Sequence, residues 1–203
     1  MTKIIGLTGP SGAGKGVASA IFAKYGIPAV DTDAIYHDIL SRPDACTREL
    51  VAAFGNGILG KDGAVDRKKL GATVLGHAET PSLLHTLNTI THKYIMAKAR
   101  LAVQDHATSG VPAVLIDAPQ LFEAGIEREC DLVLAILAPK ELRLPRIMER
   151  DGITQEAAQL RLAAQHEDAF FRERCDAVIE NDGDATSLER AICQFLTEYG
   201  VIA

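Results

Sequence analysis

The strongest constraint on this chain is a glycine-rich turn wedged between an apolar segment and a run with helical spacing. Ile4 and Ile5 lead into Gly6-Leu7-Thr8-Gly9-Pro10-Ser11-Gly12-Ala13-Gly14-Lys15-Gly16, and residues 17–25 follow with apolar periodicity. Strand, glycine loop and helix, in that order, form a phosphate cradle. Gly9, Gly14 and Lys15 meet the spacing G-x-x-x-x-G-K. Glycines let the backbone turn its N–H groups toward phosphate oxygens, and the next helix adds its unpaired amides and positive dipole end. Lys15 then reaches the β- and γ-phosphates as a flexible point charge. The nucleotide-binding candidates are therefore Gly9, Pro10, Ser11, Gly12, Ala13, Gly14, Lys15, Gly16 and Val17. The residue after the lysine is usually Ser or Thr, whose hydroxyl touches Mg²⁺. Here it is Gly16, so the metal ligands stay unassigned. The plainer alternative is a glycine turn before an ordinary helix; the buried strand ahead of the loop favours the phosphate reading.

The rest of the chain alternates. Residues 27–30 read as a second strand delivering Asp31-Thr32-Asp33 at its carboxyl end, where ligands sit in open parallel sheets. Two readings of that pair stand side by side: a cap for a helix over 34–40, or, for Asp33, a group that orients or deprotonates an acceptor hydroxyl or binds Mg²⁺. Residues 34–107 are helical throughout, broken at Gly55-Asn56-Gly57 and turned at Lys61-Asp62-Gly63. They include a long helix over 82–106 that carries His92; a lone helical histidine is more often structural than catalytic. Residues 111–116 form an apolar strand ending in Asp117, with Ala118-Pro119 leaving it and a short helix over 120–123. A further buried strand covers 131–138. A helix over 141–150, carrying Arg143, Arg146 and Arg150, and a second one, capped by Thr154 and carrying Arg161, Gln165, Arg172 and Arg174, place Arg146, Arg150 and Arg161 on a hairpin. That hairpin is either a cover for a polyphosphate or a solvated face of mixed charge, since Glu141, Glu149, Asp151 and Glu156 are interleaved. A last strand over 175–179 leads to Asn181, placed to contact a base or ribose, and a helix over 187–196 closes the chain.

The pattern predicts an α/β chain: a three-layer P-loop fold with about five parallel strands, plus a helical substrate-binding insertion and a helical lid. Residues 1–33, 108–140 and 175–203 make the nucleotide-binding core, 34–107 the insertion and 141–174 the lid. A formal net charge of −6 over 203 residues counts against a nucleic-acid binder. Cys46, Cys130, Cys175 and Cys193 are too scattered for zinc and too few for a disulfide scaffold. With no signal-peptide pattern and no apolar run of membrane-spanning length, a cytoplasmic protein without a membrane partner is expected, monomeric unless a homo-oligomer forms.

Taken together these segments resemble the dephospho-coenzyme A kinase family over nearly the whole chain. The resemblance runs through Gly6-Leu7-Thr8-Gly9 with Gly14-Lys15 and through Asp31-Thr32-Asp33-Ala34-Ile35. It continues in Phe54-Gly55, Ile58-Leu59, Asp62-Gly63, Asp66-Arg67 and Leu70. His92 and Ile95 match, with Lys93 where the family has proline. So do Asp117-Ala118-Pro119-Gln120-Leu121-Phe122-Glu123, with Gln120 where leucine is usual, then Arg146, Arg150-Asp151, Arg161 and Gln165, and finally Asp176, Val178-Ile179-Glu180-Asn181 and Gly183. The resemblance implies ATP and Mg²⁺ as cofactors and phosphorylation of the ribose 3′-hydroxyl of dephospho-coenzyme A. It implies catalytic roles for Lys15, Asp33, Arg146 and Arg150, and puts Asn181 near the adenine. It implies contacts to the coenzyme A precursor from Thr8, Asp33, His92, Asp117, Pro119, Leu121 and Arg161. A nucleoside-monophosphate or other small-molecule kinase of the same fold, and a nucleotide-dependent switch, are the alternatives.

Overall fold

The structure, a computed structural model, describes residues 2–76 and 79–202. It contains two compact units: Met1–Val30 with Val103–Ala203, and Asp31–Ala102.

The first unit is built on β1 (Lys3–Thr8), β3 (Ala113–Asp117), β4 (Leu132–Leu137) and β5 (Ala177–Glu180); β2 (Ala29–Asp31) completes the sheet, ordered β2-β3-β1-β4-β5. The strands are parallel, with Lys3 opposite Ala113 and Leu7 opposite Asp117, Ile5 opposite Leu132, and Leu134 opposite Ala177. The near-unbroken apolar runs of β1, β3 and β4 follow from burial on both sheet faces. On one face α1 (Lys15–Lys24) and α9 (Ala185–Glu198) bury Phe22, Ile192, Phe195 and Leu196 against Ile5, Leu7, Leu134 and Ile136. Phe22 meets Phe195 edge-on at 6.4 Å. On the other face Ala135 and Leu137 pack with Phe171 of α8 (Asp168–Arg174), joined by Phe122, Phe170 and Val178. Because β1 lies between β3 and β4, the chain leaving β1 emerges where strand order reverses, the usual place for a ligand crevice.

The described residues of the second unit are mainly helical: α2 (Thr32–Leu40), α3 (Ala45–Phe54), α4 (Arg67–Val74) and α5 (Thr80–Thr108), whose residues from Val103 onward belong to the first unit. Ile39, Leu40, Leu50, Ile58, Leu70, Val74 and Ile95 form its core. Each of the first three helices is capped by an aspartate, Asp31, Asp44 and Asp66, whose carboxylate accepts two backbone N–H groups.

Four local expectations change. β2 begins at Ala29, not at residue 27, because Pro28 has no N–H to give the ladder; its carbonyl still accepts from Leu115 N at 2.9 Å. α2 starts at Thr32, two residues early, so Asp33 lies inside its first turn. Residues 119–125 form turns and a 3₁₀ helix over Ile126–Glu129, with Gly125 at φ 69° breaking any helix at 120–123. The single helix expected after Thr154 is two, α7 (Gln155–Ala163) and α8, separated at Gln165. The hairpin is therefore α6 (Lys140–Asp151) against α7, and Arg172 and Arg174 belong to α8.

Candidate active site

The loop after β1 takes its shape from three glycines in the left-handed region. Gly9 has φ 133°, Gly12 78° and Gly14 102°. All three also stand where a Cβ would collide. A Cβ on Gly9 meets the Ile136 carbonyl oxygen at 2.2 Å, one on Gly12 the Arg143 carbonyl oxygen at 2.8 Å, and one on Gly14 Asn181 Nδ2 at 2.2 Å. Ala13 N bonds back to Pro10 O at 3.2 Å, tightening the turn, and Lys15 Nζ donates to Gly9 O at 2.9 Å, lying across it. α1 starts with no side-chain cap, so its first amides remain oriented for an anion.

Polar side chains from α6, β5 and the α7–α8 break hold the loop's carbonyls, the Ser11 hydroxyl and the Ser11 N–H. Arg146 Nη1 donates to Gly12 O at 3.2 Å and Arg150 Nη2 to Ser11 Oγ at 3.0 Å. Asn181, buried at the end of β5, donates Nδ2 to Ala13 O at 2.7 Å. Arg143 Nε donates to Ser11 O at 3.0 Å, and Gln165 Oε1 accepts from Ser11 N at 3.1 Å. Arg150 also pairs with Asp151 at 2.8 Å, and Arg161 donates to the same carboxylate. The Arg150 guanidinium, aided by Arg161, holds the Asp151 carboxyl below the usual carboxylate range. Two cations of the α6–α7 hairpin are thus tied to one anion at its turn.

At the carboxyl end of β3, Asp117 Oδ2 accepts from Ser19 Oγ at 2.9 Å. Ser19 lies one helical turn beyond Gly16, on the same side of α1. Thr8 is buried, and its hydroxyl has no hydrogen-bond partner among the described residues. Leu121 is fully buried, with Cδ1 only 2.7 Å from a Cβ built on Gly6. Its side chain packs against the middle of β1. Pro119 is exposed in the turn after β3.

The structure therefore brings Lys15, Arg146, Arg150, Asn181 and the loop together in one unit. Asp33 and His92 belong to the other. Asp33 is exposed in the first turn of α2, and His92 is half-buried on α5. Asp31, which shared the acidic pair, is the cap: its Oδ1 accepts from Asp33 N at 2.8 Å and Ala34 N at 3.0 Å. Sequence reasoning missed Arg143 and Ser19 as site residues. The available signals were the spacing of Arg143 from Arg146 and Arg150, which aligns all three on one face of α6, and a hydroxyl one turn after the glycine that replaces the usual Ser or Thr.

Comparison with known proteins agrees with this geometry. The family profile for dephospho-CoA kinase matches residues 3–187. A dephospho-CoA kinase of Geobacillus kaustophilus is 36% identical over all of this chain and 99% of its own length. One from Geobacter sulfurreducens is 37% identical, covering 94% of this chain and 95% of that protein. Among solved structures, dephospho-CoA kinase from Campylobacter jejuni superposes with a TM-score of 0.70 at 28% identity, covering 98% of both chains. A shikimate kinase from Acinetobacter baumannii, 20% identical with a TM-score of 0.51 over 98% of this chain and 95% of that one, shares the fold. A phosphate loop at the switch point of a five-stranded sheet, an arginine hairpin touching it and a profile match from the first strand into the last helix leave one assignment: the chain belongs to the dephospho-CoA kinase family.

Proposed function

We propose that this chain transfers the γ-phosphoryl group of ATP to the ribose 3′-hydroxyl of dephospho-coenzyme A, giving coenzyme A and ADP. The observation that carries the reading is the contact of Arg146 and Arg150 with the phosphate loop, on a chain matched to the family along its length. A hairpin whose arginines already reach Ser11 and Gly12 is a lid that lies where the transferring phosphate develops charge. In this reading residues 141–174 are that lid and 34–107 hold the coenzyme A precursor, with His92 and Arg161 among its contacts. Lys15 leaves Gly9 O to meet the β- and γ-phosphates. Asn181 contributes through Ala13 as well as near the adenine. Asp33 orients the 3′-hydroxyl and accepts its proton; the Asp31 cap holds the backbone of the turn in which it sits.

Mg²⁺ fits the donors present. Asp117, hydrogen-bonded by Ser19, supplies hard oxygen ligands at the end of β3, while Gly16 supplies none. Among the described residues no group of three or more His, Cys, Asp or Glu is arranged to hold a metal. This suits an ion that arrives with the nucleotide and keeps phosphate and water ligands. When bound, such an ion would offset the charge of the nucleotide's phosphates. Ser19, donating to Asp117 Oδ2, would hold that carboxylate in one orientation.

The test is ADP release with ATP, Mg²⁺ and dephospho-coenzyme A, with AMP and CMP as competing acceptors and the phosphorylated position read by NMR. Dephospho-coenzyme A-dependent turnover with phosphate on the 3′-oxygen is expected. Turnover on AMP or CMP alone overturns the reading. Asp33→Asn is expected to lower kcat about 10²–10⁴-fold with ATP binding intact; a loss below tenfold removes the proton-accepting role.

A further inference from the structure

Arg143 is the least expected residue near the loop. Its side chain is 2% exposed, and the nearest carboxylate, Asp168, lies 3.9 Å away with its own side chain 44% exposed. Burial pushes the guanidinium below its ordinary value, so the charge is held at a cost. A buried cation whose ion pair is this long, with a half-exposed partner, is a poor stabiliser, and an apolar side chain of similar volume usually serves stability as well or better. Its retention calls for a reason in the site it touches.

Its contacts supply one. Arg143 Nε donates to Ser11 O at 3.0 Å, and Nη2 donates to Gln165 Oε1 at 2.7 Å. The same Gln165 oxygen accepts from Ser11 N at 3.1 Å. The three bonds close a ring around one loop residue, fixing the peptide on each side of it. In a trans peptide the C=O and the following N–H point opposite ways, and the described chain has no cis bond. Holding Ser11 O toward α6 therefore turns Gly12 N–H away from α6. Arg143 Cα and Cβ also stand 3.0 and 3.1 Å from a Cβ built on Gly12, so only glycine allows this approach.

We propose that Arg143 and Gln165 are positioning residues of the phosphate loop. They set the Ser11 and Gly12 peptides before the nucleotide arrives, so that ATP binds amides already aimed. The break between α7 and α8 is part of the device, because it frees Gln165 from a helix to reach Ser11. This rests on the nucleotide-binding reading of the loop, but not on the identity of the acceptor.

The experiment is calorimetric titration of ATP into the folded protein without acceptor, beside titration of dephospho-coenzyme A alone. Arg143→Met and Gln165→Leu are each expected to weaken ATP about tenfold, the scale of one lost charge-assisted bond. The precursor's affinity is expected to stay within about twofold, and the double variant to be no weaker than the weaker single one, because either change opens the same ring. Gln165→Glu keeps the shared acceptor and is expected to retain ATP affinity. ATP affinity unchanged in Gln165→Leu overturns the proposal, as does an equal loss for both ligands or an equal loss in Gln165→Glu and Gln165→Leu. Should Arg143→Met fail to fold, the two Gln165 variants decide alone. A protein that binds ATP with this pattern yet does not phosphorylate dephospho-coenzyme A sinks the acceptor assignment and leaves the ring standing.

Discussion

Gly16 sets the first prediction at the scale of single residues. A Cβ built there meets nothing within 4 Å, and its φ lies outside the left-handed region. Gly16→Ser is thus accommodated. Removing a glycine from the first turns of α1 is expected to stabilise by about 0.5 kcal/mol, read by thermal melt. The added hydroxyl is also expected to lower the Mg²⁺ concentration that half-saturates turnover; a higher requirement contradicts Asp117 and its neighbours as the metal side of the site. Gly14 is the opposite case. With φ 102° and Asn181 Nδ2 at 2.2 Å from a Cβ, Gly14→Ala strains the backbone and displaces the amide that holds Ala13 O. A loss of about 2 kcal/mol or more is expected in urea unfolding. The two glycines look alike in the motif. Gly9, Gly14 and Lys15 were legible because their spacing is local. Ser19 with Asp117, and Asn181 with Ala13, were not, since 98 and 168 positions separate the partners and no periodicity reports such pairs.

At the scale of elements, the helix start at Asp31 carries the next argument. Its carboxylate holds two amides of the turn in which Asp33 sits. Asp31→Ala is expected to cost about 1 kcal/mol through the lost cap and to lower kcat by loosening Asp33. Asp31→Asn, which still caps, is expected to recover both. A full stability loss with kcat unchanged separates the cap from the chemistry and removes Asp33's need for it. Strands and helices of this chain were largely readable, because runs such as Leu132–Leu137 are buried on both faces and an aspartate or threonine precedes most helices. The α7–α8 break was not. Residues 164–167 hold no glycine or proline, and the helix stops there while Gln165 bonds to Ser11 and Arg143 instead. Tertiary contacts decided that boundary, and no local signal recorded them.

For the whole molecule, charge distribution fixes how stability varies with pH, and both units contribute. In the helical unit Lys98 holds Asp38 below the usual range, and Lys93 with Tyr94 does the same for Glu49. In the sheet unit Arg150 lowers Asp151, and the backbone N–H of Ser187 lowers Asp184. Folded values below the ordinary 3.8 and 4.5 mean that these groups favour the fold above about pH 4–4.5 and lose that effect as pH falls through their folded values. The alkaline side has another cause. Burial pushes Cys46 to about 11 and Cys130 and Cys175 to about 12, from an ordinary 9.0. Here the folded protein keeps protons that the unfolded chain releases, so stability is complete below about pH 9 and declines as pH rises toward 11–12. Urea midpoints between pH 3 and 10.5 are expected to form a plateau with both ends falling. Tyr36, raised by burial, and Lys93 and Tyr94, raised by their hydrogen bonds to Glu49, add to that fall, but the thiols begin it at the lowest pH. Cys130, packed at Gly6 beneath the start of the phosphate loop, is the one to remove: Cys130→Ala is expected to lower the plateau by its lost packing and to make the decline above pH 9 shallower. The lowered plateau alone reports a cavity. A decline of unchanged steepness contradicts a raised Cys130 value, whatever the plateau does, because removing the thiol removes its own share of that slope and leaves the shares of Cys46 and Cys175 in place.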